Sequence, residues 1–133
     1  MNKANPDAEQ PRREAISLPI WRLAFGLCVL AVLVLALMPN DVPIPSTGWD
    51  KSNHLLAFSI MALLGVRAFP GRTMAVLAGL LAYGVLIEVL QSFTPSRSAD
   101  WHDVVADGVG LAVGWGTGHL ARLVIRLRAN PQV

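Results

Sequence analysis

Charged residues are scarce in this sequence, at 15% of 133 positions against a hydrophobic share of 53%. A soluble domain carries more charge than that, and with a mean hydropathy of +0.48 the composition makes bilayer the expected solvent. Cysteine is almost missing too. Cys28 stands alone, so no disulfide forms within the chain, and its place inside an apolar run makes it a small hydrophobe. The chain is also short. A spanning helix takes roughly 20 mostly apolar residues, which leaves room for about four passes and no separate soluble domain.

What is present divides at its prolines and glycines. Residues Met1 to Leu18 mix Lys3, Arg12 and Arg13 with acids, Asn and prolines, and are expected to be a disordered tail. Pro19 to Met38 is nearly continuous apolar sequence, opened by a proline suited to a first helical turn and closed by Pro39. This predicts a first helix over 19–38. A cleaved signal peptide competes for the same segment, but Ala36-Leu37-Met38 lacks the small-x-small exit. Further helices are expected over about 52–69, 73–93 and 103–125. Between them lie a Pro- and Gly-containing loop from Asn40 to Asp50, the turn Pro70-Gly71-Arg72, and a polar loop from Arg97 to His102. A short basic tail over 126–133 follows. The expected fold is an all-α membrane protein, a four-transmembrane-helix bundle.

Basic residues fall unevenly on that scheme. Lys3, Arg12, Arg13, Arg22, Arg67, Arg72, Arg122, Arg126 and Arg128 gather on one side, leaving Lys51 and Arg97 on the other. The positive-inside rule then places both termini in the cytoplasm and the two longer loops outside, in a cytoplasmic (inner) membrane. Trp21 would sit at the inner interface, Trp49 and Trp101 at the outer one.

Against this apolar background, ionisable and amide side chains collect near the outer ends of three helices: Asp50, Lys51, His54, Glu88, Gln91, Arg97, Asp103 and Asp107. Spacings of three and four put Asp50, Lys51 and His54 on one face, then Gly84, Glu88 and Gln91, then Asp103, Asp107, Gly110 and Gly114. An acid inside a span must face protein or water, so Glu88 points inward, to bond Gln91 or pair with Arg97, or to serve a site. Convergence on one outward-opening pocket is the expectation. His54, Glu88 and Asp103 are the catalytic candidates. The usual histidine pair is absent, so no metal centre and no cofactor are expected; the nearest approach to a ligand set is His54, Glu88 and Asp107. On the last helix Gly110, Gly114 and Gly118 form a small-xxx-small stripe. Because Asp103 and Asp107 share the stripe, internal packing is favoured over a homodimer through those glycines.

Taken in order, Asp50-Lys51-x-x-His54 with Phe58, Glu88-x-x-Gln91, Arg97, Asp103 and the Gly110/Gly114 helix resemble the VanZ-like family from Trp49 to Gly114. The resemblance implies a small bacterial multi-pass membrane protein of the cell envelope, the family being named for a member linked to teicoplanin resistance. It implies no known reaction. One position departs from the pattern: Asp107 stands where an asparagine is expected. A fainter likeness of Ser96-Arg97, His102 and Asp107 to phosphatidic-acid-type lipid phosphatases leaves that hydrolase reading only a minor alternative, because the spacing is one short and the Pro-Ser-Gly-His element is missing.

Three functions fit these residues. The first is a non-enzymatic envelope protein whose polar pocket engages a lipid-linked cell-wall intermediate, with Lys51 and Arg97 facing phosphate. The second is a membrane-embedded hydrolase or transferase using His54, Glu88 and Asp103. The third is an assembly subunit whose polar cluster locks the bundle. No nucleic-acid partner is implied.

Overall fold

A computed structural model describes the backbone over residues 6–39, 50–95 and 99–129, and side chains from Leu18 onward within those ranges except that of Asp50. Four helices follow in order: α1 (Pro6–Leu37), α2 (Asp50–Ala68), α3 (Thr73–Gln91) and α4 (Trp101–Ala129). At 1.5 Å per residue the 19 residues of α2 and of α3 run about 28 Å, close to the thickness of a bilayer's hydrocarbon core. The predicted elements are all there, with ends shifted by a few residues except at the first. There α1 begins at Pro6, well ahead of Pro19, so helical backbone covers most of the segment expected to be disordered. Ala8, Glu9, Gln10, Arg12, Arg13 and Glu14 are strong helix formers, and the helix runs through Pro11 and Pro19 at the loss of one amide donor each. Met1 to Asn5, the loop over 40–49 with Trp49, and the tail over 130–133 lie outside the described residues.

Between α2 and α3 the chain reverses in four residues. Gly71 takes a φ of +80°, which a side chain disfavours, and the Arg72 amide donates to the Phe69 carbonyl at 3.1 Å. Such a short link forces α2 and α3 to run antiparallel. The centre of the bundle is α2, which packs on all three others, most extensively on α4. Phe58, Met61, Ala62, Leu80, Ile87 and Leu111 form the buried apolar core.

The α2–α4 contact is made possible by two glycines. A Cβ added at Gly110 would strike the Leu55 carbonyl, and one at Gly114 the Ser59 carbonyl, so the two backbones lie against each other. Ser59 crosses the seam, its hydroxyl donating to the carbonyls of Leu55 at 2.7 Å and Gly110 at 3.0 Å. At Gly118 an added Cβ would lie 3.0 Å from a Leu63 methyl. The glycine stripe thus faces α2 within the chain.

Polarity is arranged inside out. Leu23, Leu27, Leu30 and Val34 on α1, Val85 and Val89 on α3, and Val105, Val109 and Val113 on α4 are all exposed, while His54, Glu88, Gln91, Asp103 and Asp107 are buried. Two stretches, Leu18–Leu37 and Thr73–Gln91, are apolar and long enough to cross a membrane by composition alone. In α2 and α4 the same inward polar residues interrupt the apolar sequence.

The charges also separate by end. At the end opposite the acids, the Arg22 guanidinium donates to the Ala68 carbonyl at 3.3 Å and lies 5.5 Å from the Phe69 ring, while that of Arg67 lies 5.2 Å from the Trp21 ring.

Candidate functional site

The N-terminal turns of α2 and α4 and the C-terminal turns of α3 meet at one end of the bundle, and each delivers ionisable groups there. Antiparallel order dictates this. From α4, Asp107 is fully buried and its Oδ1 lies 2.9 Å from His54 Nδ1 on α2. The two backbones it bridges are held close by Gly110 one turn on. Its other oxygen, Oδ2, is buried without a hydrogen-bond partner and faces Gly84 of α3, where a Cβ would collide with it. Below His54 the Phe58 ring lies nearly parallel, 6.4 Å between centroids, which seals the cluster from the core.

One turn nearer the helix ends, Lys51 Nζ reaches Asp100 Oδ2 at 2.7 Å and Asp103 Oδ1 at 3.3 Å. The Asp100 backbone amide donates to Glu88 Oε2 at 2.7 Å, and Glu88 Oε1 is buried without a partner. Asp100 itself stands immediately before α4 and accepts the His102 amide at 3.0 Å, the geometry of an N-cap. The Lys51 ammonium, followed by the His102 amide, holds the Asp100 carboxyl well below the usual carboxylate range. His102 bends outward to Asp100 Oδ1 at 2.6 Å and packs against Trp101.

One ligand-type atom from each of His54, Glu88 and Asp103 lies within 4.8 Å of the other two, and all three residues are buried. The three catalytic candidates therefore come together. The metal-capable set is His54, Glu88 and Asp103, with Asp107 behind the imidazole rather than in the set. Gln91 does not join. Its amide donates to the Ala36 carbonyl at 2.9 Å and ties α3 to the end of α1, so the expected Glu88–Gln91 bond gives way to Glu88–Asp100. The Asp50 side chain and all of Arg97 lie outside the described residues. Asp100 was missed by spacing arguments, which follow helix faces, although an Asp directly before a helix start is a capping signal.

A protein-family model described as VanZ/LLP1 matches residues 31–122. The chain belongs to the VanZ/LLP1 family. The matched region of this VanZ/LLP1 protein takes in the end of α1, all of α2 and α3, and α4 as far as Arg122, so every described member of the cluster lies within it. No curated protein and no solved structure matches the chain.

Proposed function

We propose that this VanZ/LLP1 protein is a four-span integral protein of the bacterial inner membrane, with both termini in the cytoplasm and the polar cluster at the outer surface. The observation that carries this is the inside-out bundle, apolar where solvent would be and ionisable within. Such a surface is stable against lipid and is a large exposed patch against water. With Arg22, Arg67 and Arg122 at the far end, the positive-inside rule turns the acid-bearing end outward.

At that end the protein holds the head group of a lipid-linked envelope precursor, and in doing so influences glycopeptide susceptibility of the teicoplanin type. Lys51 supports this role. Its side chain is 33% exposed, beside the 38% exposed Asp100 and next to the buried His54, Glu88 and Asp103, which places its ammonium within reach of a phosphate oxygen. The test is native mass spectrometry of the purified chain with a polyprenyl pyrophosphate and with a neutral lipid of equal chain length. Preferential retention of the pyrophosphate lipid, weakened roughly tenfold by Lys51→Ala, is expected from loss of one charged hydrogen bond. Equal retention of both lipids overturns the assignment.

The convergence of His54, Glu88 and Asp103 favours a second reading, a membrane-embedded hydrolase or transferase acting on the same head group. Under it, Glu88→Gln abolishes turnover of the bound lipid while retention persists.

A further inference from the structure

Four carboxylates, those of Glu88, Asp100, Asp103 and Asp107, meet a single lysine among the described residues at the polar end. Lys51 is drawn to Asp100 and Asp103. Asp107 is taken up by His54 on one oxygen only, and Glu88 by the Asp100 amide on one oxygen only. Each of these two buried acids is left with an oxygen that nothing satisfies. Orphaned buried polar atoms are rare because each costs about 1–3 kcal/mol, so the one on Glu88, whose carboxylate lies with His54 and Asp103, calls for an explanation. A bound cation supplies one.

The geometry points to a divalent metal site formed by the His54 imidazole and the carboxylates of Glu88 and Asp103, with Asp107 as the residue that fixes the imidazole. The first support is proximity. The three ligand atoms already lie within 4.8 Å of one another, and metal–ligand bonds of ~2.1 Å set tetrahedral ligand spacings of roughly 3.4 Å, a closure that side-chain rotation supplies. The second is the unpartnered Glu88 oxygen, in a residue only 6% exposed. The third is the bond from His54 Nδ1 to Asp107. A carboxylate on one ring nitrogen holds the tautomer and orientation in which the other nitrogen ligates, as behind many metal-bound histidines.

One imidazole and two carboxylates suit Zn2+ or Mn2+ better than a soft, thiolate-seeking ion. Three protein ligands leave a coordination position open. With Lys51 Nζ 3.3 Å from Asp103 Oδ1, an ion held there would add positive charge beside the lysine proposed to meet the head group. The site itself does not rest on the lipid assignment and is tested without lipid.

The full chain, purified without a polyhistidine tag and stripped with chelator, is titrated with Zn2+ in detergent micelles, and bound metal is counted after desalting. One Zn2+ per chain is expected, with at least tenfold weaker retention in Glu88→Gln and in Asp103→Asn. Asp107→Asn, which keeps the oxygen facing His54 but not its charge, is expected to weaken binding by about 10–100-fold. Helicity and elution volume identify any variant that fails to fold. For that case, wild type loaded with Co2+ is read by its visible bands, where tetrahedral nitrogen and oxygen coordination is expected. Absence of stoichiometric Zn2+, full retention in the Glu88→Gln/Asp103→Asn double variant, or a solvent-like Co2+ spectrum each overturns the site.

Discussion

Asp107 and Gly84 are a matched pair: the carboxylate on α4 occupies the volume that a side chain on α3 would need. Gly84→Ala therefore has to move Asp107, and with it the bond to His54. Overpacking of this kind costs about 1–3 kcal/mol, and here it also strains a buried hydrogen bond. Gly79, on the same helix, has open space where its Cβ would go. The expected outcome in a detergent thermal melt is a clear fall in midpoint for Gly84→Ala and none for Gly79→Ala. Equal melts would mean that Asp107 is not held where the structure puts it. From sequence, Asp107 and Gly84 were each visible as inward residues, but their contact was not, since it depends on how far α3 and α4 are rotated about their axes. Asp100 was overlooked for the opposite reason: its role comes from standing at a helix start, where no face periodicity reaches.

At the scale of the helices, the seam between α2 and α4 depends on which glycines face it. Gly110 and Gly114 do, while Gly108 and Gly116 have nothing within 4 Å of an added Cβ. Replacing Gly114 by alanine forces the seam apart at the Ser59 carbonyl, which is backbone and cannot rotate away. Gly116→Ala leaves it alone. The prediction is loss of folded, monodisperse protein, or a destabilisation of about 1–3 kcal/mol, for Gly114→Ala alone, independent of protein concentration. A concentration-dependent effect would instead point to the glycines joining two chains. The four helices and the direction of this stripe were readable because small residues and acids share it, and acids are kept from lipid. The start of α1 was not, because propensity in a polar segment gives no periodic signal.

For the whole molecule the decisive property is which end faces which compartment, and the proposed orientation rests on nine basic residues expected at one end against two at the other. A reporter active only outside the cytoplasm is expected to work when fused after Ser98 and to be silent when fused after Val133. The reverse pattern would invert the bundle and put the cluster in the cytoplasm.

The order in which the cluster's members are made matters as well. His54 and Asp107 lie 53 residues apart in the chain, so at 5–20 residues per second the ribosome delivers the carboxylate about 3–10 s after the imidazole. For the membrane-spanning bundle proposed above, inserted helix by helix, α2 then waits through that interval with His54 lacking its α4 partner, while Glu88, 12 residues before Asp100, waits a shorter time. Under that proposal the final helix acts as a keystone in biogenesis. A nascent chain stalled before Asp103 exposes a half-built polar seam, the kind of feature by which membrane quality control recognises an orphan.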